Sequence, residues 1–331
     1  MRRLCTSDWQ LDSGERDRYR TDFVVNDLPK LIDKYKVDQL LVLGDVCEKK
    51  DNHPAPLVNE IVDAFYNLQK QCAVIVLEGN HDFLHKEHPY FKFISKFDNV
   101  TWISTPTELD NCLYLPHTRD YKQDWKSIGF TKEYDYVFAH NIFTGVSTST
   151  GHALSGIPHN IFPKDVVVIS GDVHEPQTIN ENIIYVGSPT ITDFGDDYQP
   201  RVLLLDDLQI KSIKVYGQQK RLIKVDWDGE KSIFHHSEYL RENDLVKMQV
   251  FIQMDHVSEW ATIRQSVEQW ATKRNFVVVS IIPQVAYVKG ERQKLVNSSK
   301  KSDTEYLKTF VSRSGADEKT AEVGQQIIEL V

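Results

Sequence analysis

The sequence predicts an α/β fold of two packed sheets flanked by helices, followed by a smaller β/α unit. Three observations predict it. Short runs rich in β-branched and aliphatic residues alternate with stretches whose apolar residues recur at helical spacing. Five of the runs end in side chains able to bind a metal or carry a proton. Near residue 217 the composition changes, and two strand-like runs, a helical stretch and a further run follow. A chain of 331 residues exceeds one average domain and has room for an ample core in the larger of two.

In chain order, Leu4-Cys5-Thr6-Ser7 reads as a strand leading to Asp8 and Gln10. Residues 11–20 form a charged loop in which Arg16, Arg18 and Arg20 either meet phosphates or make ion pairs in solvent. From Phe23 to Tyr35 the apolar positions Val24, Leu28, Leu31, Ile32 and Tyr35 have helical spacing, and Pro29 should kink or interrupt the helix. Gln39 to Gly44 is a second strand, leading to Asp45, and residues 46–56 are a polar loop. Leu57, Ile61, Val62, Phe65 and Leu68 then mark an amphipathic helix.

Ala73-Val74-Ile75-Val76-Leu77 is a third strand, followed by Glu78-Gly79-Asn80-His81-Asp82. Gly79 permits a sharp turn that a side chain would obstruct. Asn80 can offer a carbonyl oxygen to a metal, and His81 can ligate or shuttle protons. Between Phe83 and Phe97, His85, His88, Tyr90, Phe91 and Phe93 are the core of a short helix or, alternatively, a base-stacking surface. Tyr134 to Ala139 leads to His140, and Val166 to Gly171 leads to Asp172 and His174. Trp102-Ile103, Cys112 to Leu115, Ile183 to Val186 and Val202 to Leu205 read as strands of the second sheet. The Gly/Ser/Thr-rich loop from Gly145 to Gly156 borders the groove.

Strand–helix alternation implies parallel pairing through right-handed crossovers, with ligands beyond the carboxyl ends of the strands. That topology would bring Asp8, Gln10, Asp45, Asn80, His81, His140, Asp172 and His174 to one rim. The chemistry it favours is a metal site.

The formal charge of −9 is unusual for a DNA-binding protein, although Lys214 to Lys224 and Arg292 to Lys301 could form basic patches. Cys5, Cys47, Cys72 and Cys112 are scattered without a Cys-x-x-Cys pair and read as reduced thiols. Arg2 and Arg3 are not followed by the apolar run of a signal peptide, and no run approaches membrane-spanning length. A cytoplasmic protein with no membrane association is expected.

Asp8, Gly44-Asp45, Gly79-Asn80-His81-Asp82, His140 and Gly171-Asp172-Val173-His174 resemble the five ordered motifs of calcineurin-like metallophosphoesterases. Tyr185-Val186-Gly187-Ser188-Pro189 and Asp193-Phe194-Gly195 are similar to the branch of DNA-repair nucleases that includes the SbcD type. The resemblance implies a metallophosphoesterase domain over 1–216, a small β-β-α-β capping domain over 217–290, and a linker and helical tail over 291–331. It also implies two divalent cations, manganese before magnesium. One ion would take Asp8, Gln10, Asp45 and His174, and the other Asp45, Asn80, His140 and Asp172. His81 would be catalytic, with Glu48, which stands where that branch usually has a histidine, as its support.

Two further positions depart from the motifs. Gln10 stands where a histidine is usual, and Asp172 stands where the final motif has its first histidine. Oxygen donors in place of imidazoles favour manganese or magnesium over zinc. The implied activity is hydrolysis of DNA, 3′-to-5′ exonucleolytic and endonucleolytic. The implied partners are DNA, an SbcC-like SMC-type ATPase bound through the tail, and a second copy of the chain, in a bacterial or phage setting. The alternatives are a small-nucleotide phosphodiesterase and a catalytically weakened scaffold that recruits the ATPase.

Overall fold

Two six-stranded sheets pack face to face, and the loops at one end of both converge. A computed structural model describes residues 1–85, 87–128, 130, 133–148, 151–236 and 238–286; the linker and tail over 291–331 lie outside the described residues. The strands of the two sheets, in chain order, are β1 (Arg2–Thr6), β2 (Gln39–Leu43), β3 (Ala73–Leu77), β4 (Val100–Ile103), β5 (Thr107–Leu109), β6 (Cys112–Leu115), β7 (Tyr136–His140), β8 (Val168–Gly171), β9 (Gln177–Ile179), β10 (Ile183–Tyr185), β11 (Arg201–Asp206) and β12 (Gln209–Lys214). The first sheet has the order β12-β11-β1-β2-β3-β4 and the second β5-β6-β7-β8-β10-β9. The ligand-bearing runs β1, β2 and β3 are parallel neighbours, as are β7 and β8.

The division of strands between sheets differs from the one expected. Trp102-Ile103 and Val202 to Leu205 belong to the first sheet, where β11 lies antiparallel to β1 with Leu4 opposite Leu204. The strands ending in His140 and Gly171 belong to the second. An unbroken apolar run suits any strand buried on both faces, so its pattern does not specify a sheet. In β11, Leu203 and Leu205 face the core between the sheets, and Val202 and Leu204 face the helical layer.

The helices are α1 (Arg18–Asp22), α2 (Leu28–Tyr35), α3 (Ala55–Leu68) and α4 (Tyr121–Asp124). Leu57, Ile61 and Phe65 of α3 and Leu28 and Ile32 of α2 bury against the outer face of the first sheet. Pro29 marks an interruption of the α-helical run, as expected. It sits in the first turn of α2, and one π-helical turn, Phe23–Asp27, joins α1 to α2, with the Leu28 N–H reaching back to the Phe23 carbonyl. Proline has no N–H for an α-type bond, and widening the preceding turn accommodates it without ending the helical path. The helical stretch therefore begins within the expected charged loop. Tyr90–Lys96 is a 3-10 turn that buries Phe91 and Ile94 and leaves Tyr90 and Phe93 exposed.

A third sheet contains β13 (Lys220–Trp227), β14 (Ser232–His235), β15 (Leu245–Gln253) and β16 (Val277–Ala286) in the order β14-β13-β15-β16. Helix α5 (Trp260–Thr272) presses Ile263, Val267 and Ala271 onto Val225, Val246, Met248 and Val250. The unexpected strand is β14, which pairs with β13 across the turn Asp228-Gly229, where Gly229 has φ +100°. Asp-Gly is a strong hairpin signal, and the sequence carried it. This sheet meets the rim of the first two: Lys220 Nζ donates to Asp17 at 2.7 Å and to the Thr192 carbonyl at 3.1 Å, and the Ile191 N–H donates to Gln219 Oε1 at 2.7 Å. Among the described residues, no helix is long and apolar enough to cross a membrane.

Phe138 is fully buried between the sheets and packs its ring against Tyr114 and Tyr136. Phe138→Ala should cost about 3–5 kcal/mol in chemical denaturation; a loss below about 1 kcal/mol would contradict the two-sheet core.

Candidate metal centre

The loops that follow β1, β2, β3, β7 and β8 meet at one end of the two sheets. The Asp8 N–H donates to the Gly44 carbonyl at 3.0 Å and the Gln10 N–H to the Asp45 carbonyl at 3.1 Å, which ties the first loop to the second. His140, from the other sheet, anchors Nδ1 on the Leu43 carbonyl at 2.6 Å and turns Nε2 toward Asp45 Oδ1, at 3.3 Å. The Asp172 N–H donates to Asp8 Oδ1 at 3.3 Å.

These approaches depend on backbone shapes that the residue types do not advertise. Asp8, Gln10, Asp45 and Asp172 all have positive φ, from 49° to 76°. Left-handed backbone is uncommon outside glycine and persists where the surroundings impose it. Gly79 is needed for proximity rather than for a left-handed turn, since a methyl group there would stand against the Asp45 carboxylate and backbone. Asp82 is a structural group that the sequence pattern did not single out. Its buried carboxylate accepts from the N–H groups of Asp45 (2.9 Å), Val46 (2.9 Å) and Gly79 (2.7 Å), stapling two loops together.

Asp45 occupies the middle. Oδ1 accepts from the His81 N–H at 2.8 Å and Oδ2 from Gln10 Nε2 at 2.8 Å. Burial alone would raise its pKa, but His140 and His81 outweigh burial and hold it at about 2. Asp8 lacks that degree of compensation: burial pushes it up to about 6 although His140 and His174 pull it back. Asp82 is likewise pushed up to about 6, by burial and then by the charge of Asp45. Burial opposes the cation of His140, yet Asp45, Asp172 and Asp8 hold its pKa well above the usual range.

The donors fit a divalent cation. Carboxylate oxygens of Asp8 and Asp45 and a nitrogen of His140 lie within 4.8 Å of one another. Around His140 Nε2 stand Asn80 Oδ1 at 3.1 Å, Asp45 Oδ1 at 3.3 Å and Asp172 Oδ1 at 3.9 Å. Two atoms ligating one ion at about 2.1 Å stand no more than about 4.2 Å apart. Asn80 Oδ1 also lies 3.0 Å from each Asp45 oxygen, so acceptors face acceptors unless the amide turns its NH2 group inward or a cation lies between them. Gln10 Oε1 is buried without a hydrogen-bond partner, an exposed cost that a ligand can remove.

Each predicted residue can now be placed. Asp8, Gln10, Asp45, Asn80, His81, His140 and Asp172 come together through the contacts above. His174 faces Asp8 electrostatically and rests Nδ1 on Thr192 Oγ1 at 3.0 Å. Glu48 does not support His81 through its side chain. Its carboxylate pairs with Arg20 at 3.0 Å, and it is the Glu48 backbone carbonyl that meets His81 Nδ1, at 2.5 Å. Buried Arg20 prevents the alternative because it also binds Asp17 and the carbonyls of Gln10 and Thr192. Arg18 pairs with Glu60 and Asp22, so these two arginines take part in ion pairs.

The chain belongs to the calcineurin-like phosphoesterase family, whose model matches residues 1–205. Enzymes of this class are hydrolases of phosphate esters that use divalent metals. Two viral relatives carry the name of a phosphoesterase. Protein 244L of Invertebrate iridescent virus 6 is 24% identical over 190 residues, 51% of this chain and 64% of that protein. Protein 078R of Invertebrate iridescent virus 3 is 26% identical over 186 residues, 51% of this chain and 52% of that protein. The matches thus span between half and two-thirds of those relatives. Among solved structures, an archaeal phosphodiesterase is similar over 65% of this chain and 99% of its own (15% identity, TM-score 0.37), and the Pseudomonas putida nuclease MPE over 64% and 87% (14% identity, TM-score 0.36). At such scores the overlays bear no weight for function.

Two outcomes are expected. In chelator, melting temperature should rise as pH falls from about 7.5 to 5, because Asp8, Asp82 and His140 hold protons in the folded state that the unfolded chain releases; burial of His53 and His117 lowers their pKa values and opposes the rise with two groups against three, and Asp45 begins to subtract only below about pH 4. Excess Mn2+ should raise the melting temperature most at pH 7.5 and progressively less toward pH 5, since the ion competes with those protons. A metal-free melting temperature that falls over this range would contradict the electrostatics. Separately, Gly79→Ala should abolish high-affinity Mn2+ binding in calorimetry, and unchanged affinity would show that the close approach to Asp45 is dispensable.

Proposed function

We propose that this chain is the nuclease subunit of a DNA-processing enzyme of the SbcD type, hydrolysing phosphodiesters at a two-metal centre. The observation that carries it is the convergence of Asp8, Gln10, Asn80, His81 and His140 on the single carboxylate of Asp45, with Asp172 set against His140 and Asp8, and His174 facing Asp8. Two divalent cations, when bound, neutralise the charge of the in-line displacement and activate a water. Asp8, Gln10, Asp45 and His174 would hold one, and Asp45, Asn80, His140 and Asp172 the other. The oxygen-rich donor set favours manganese, then magnesium.

His81 keeps Nδ1 on the Glu48 carbonyl, which leaves Nε2 to meet the scissile phosphate and to hand a proton to the leaving oxygen. Arg20 fixes the loop that carries Glu48, and Thr192 orients His174. Supporting a polymeric substrate, the third sheet adjoins the centre, and a cleft of about 170 Å³ lined by Arg20, Glu48, His174, Thr192, Asp193 and Lys220 opens between them. The size of that cleft also suits the second reading, a small-nucleotide phosphodiesterase. DNA, an SMC-type ATPase reached through residues 291–331, and a second copy of the chain are the proposed partners, in the cytoplasm of a bacterium or of a cell infected by a phage.

Linear duplex DNA, a cyclic nucleotide and bis-p-nitrophenyl phosphate assayed side by side separate the possibilities. Mn2+-dependent DNA cleavage is expected, abolished by Asp45→Ala and reduced about 10²- to 10⁴-fold by His81→Ala. Hydrolysis of the cyclic nucleotide alone would favour the small-substrate reading, and inactivity on all three would leave the scaffold.

A further inference from the structure

We infer that the exposed rings of Tyr90 and Phe93, with Lys92 and Lys96 beside them, form a stacking platform for the bases of an unpaired nucleic-acid strand, an assignment that rests on the nuclease reading above. In the turn Tyr90–Lys96 the side chains repeat every third residue, as 3-10 geometry requires. Phe91 and Ile94 are buried, while Tyr90, Phe93 and Lys96 line up on one outer side. Tyr90 is 39% exposed and Phe93 44%. Leu84, on the loop that leads into the turn, is exposed as well.

The rings are held from behind and tied to the rim that carries the metal donors. His53 packs against the Tyr90 ring at a centroid distance of 4.4 Å, and Phe91 meets it edge-on at 4.9 Å. Phe93 stands 6.5 Å from Tyr90, at 68° to it, and 5.9 Å from Phe91. The Tyr90 N–H donates to the Asp82 carbonyl at 3.1 Å, so the turn starts beside the pentapeptide that carries Asn80 and His81. His53 belongs to the loop after β2, which also carries Asp45 and Glu48. Rings already fixed in this way lose little freedom when a base lies on them.

Charge decides which partner fits. Lys92 and Lys96 are exposed among the rings, and their side chains make no ion pair among the described residues, in a chain whose formal charge is −9. Ammonium groups set between exposed aromatic rings suit a polyanion whose units each carry a flat π-face, which is what a single strand of nucleic acid offers. A second copy meeting this patch across a two-fold axis would bring the lysines of both chains into one contact, where like charges repel. Paired bases are hidden in the duplex stack, so the strand that fits is unpaired, as at a frayed end.

Fluorescence anisotropy on the full chain in chelator tests this with two probes, an oligothymidylate of about twelve nucleotides and an abasic oligomer of equal length. Phe93→Ala should weaken binding of the oligothymidylate about 5- to 100-fold and leave that of the abasic oligomer unchanged, while Phe93→Trp should bind as well as wild type. Hydrolysis of bis-p-nitrophenyl phosphate by Phe93→Ala should match wild type, since that ester is too small to need the platform. Lys92→Gln combined with Lys96→Gln should weaken both oligomers and lower the slope of log affinity against log salt by about 1.4. Equal losses for the two oligomers in Phe93→Ala, or no loss for either, would overturn the platform and leave the nuclease reading standing. A wild-type dimer that Phe93→Ala dissociates in sedimentation, with oligothymidylate affinity unaltered, would overturn it in favour of a second copy. Wild-type protein that binds neither oligomer and cleaves no DNA would sink the nuclease reading and the platform together.

Discussion

The buried carboxylate of Asp45 is the constraint to which the rest of the centre answers. It receives a backbone N–H from the third loop and an amide from the first, and it faces an imidazole from the second sheet. An ionised carboxylate almost free of solvent is costly unless charge or hydrogen bonds compensate it. His140 and His81 supply that compensation, and their own placement depends on Leu43, Glu48 and Gly79. The positive φ angles at Asp8, Gln10, Asp45 and Asp172 are further costs tolerated for the same geometry. A site so expensive in metal-free form is one that a cation stabilises.

Much of this was legible in the sequence because strand ends are local signals. An apolar run followed at once by Asp, Asn-His or His marks both the element and the direction in which its last side chains are delivered. Parallel pairing then required no knowledge of sheet membership for Asp8, Asp45, Asn80, His140 and Asp172 to arrive at one end. What was not legible is sheet assignment itself, since Val202 to Leu205 and Trp102-Ile103 fit a buried strand in either layer. The widened turn before Pro29 was hidden for a similar reason: helical spacing survives one π turn.

Side-chain partnerships across distant segments were the least readable. Glu48 has the charge and the position to orient His81, but Arg20, 28 residues earlier, claims its carboxylate. Asp82 sits in the same pentapeptide as Asn80 and His81, yet its contribution is to bind three backbone N–H groups. Such roles depend on which loops touch, and that is a property of the packed tips rather than of any one segment.

Diffraction at the manganese edge from crystals soaked in Mn2+ addresses the central claim most directly. The account requires two anomalous peaks about 4 Å apart, one on each side of the Asp45 carboxylate. Density absent from the neighbourhood of Asp45, or confined to the protein surface, would contradict it.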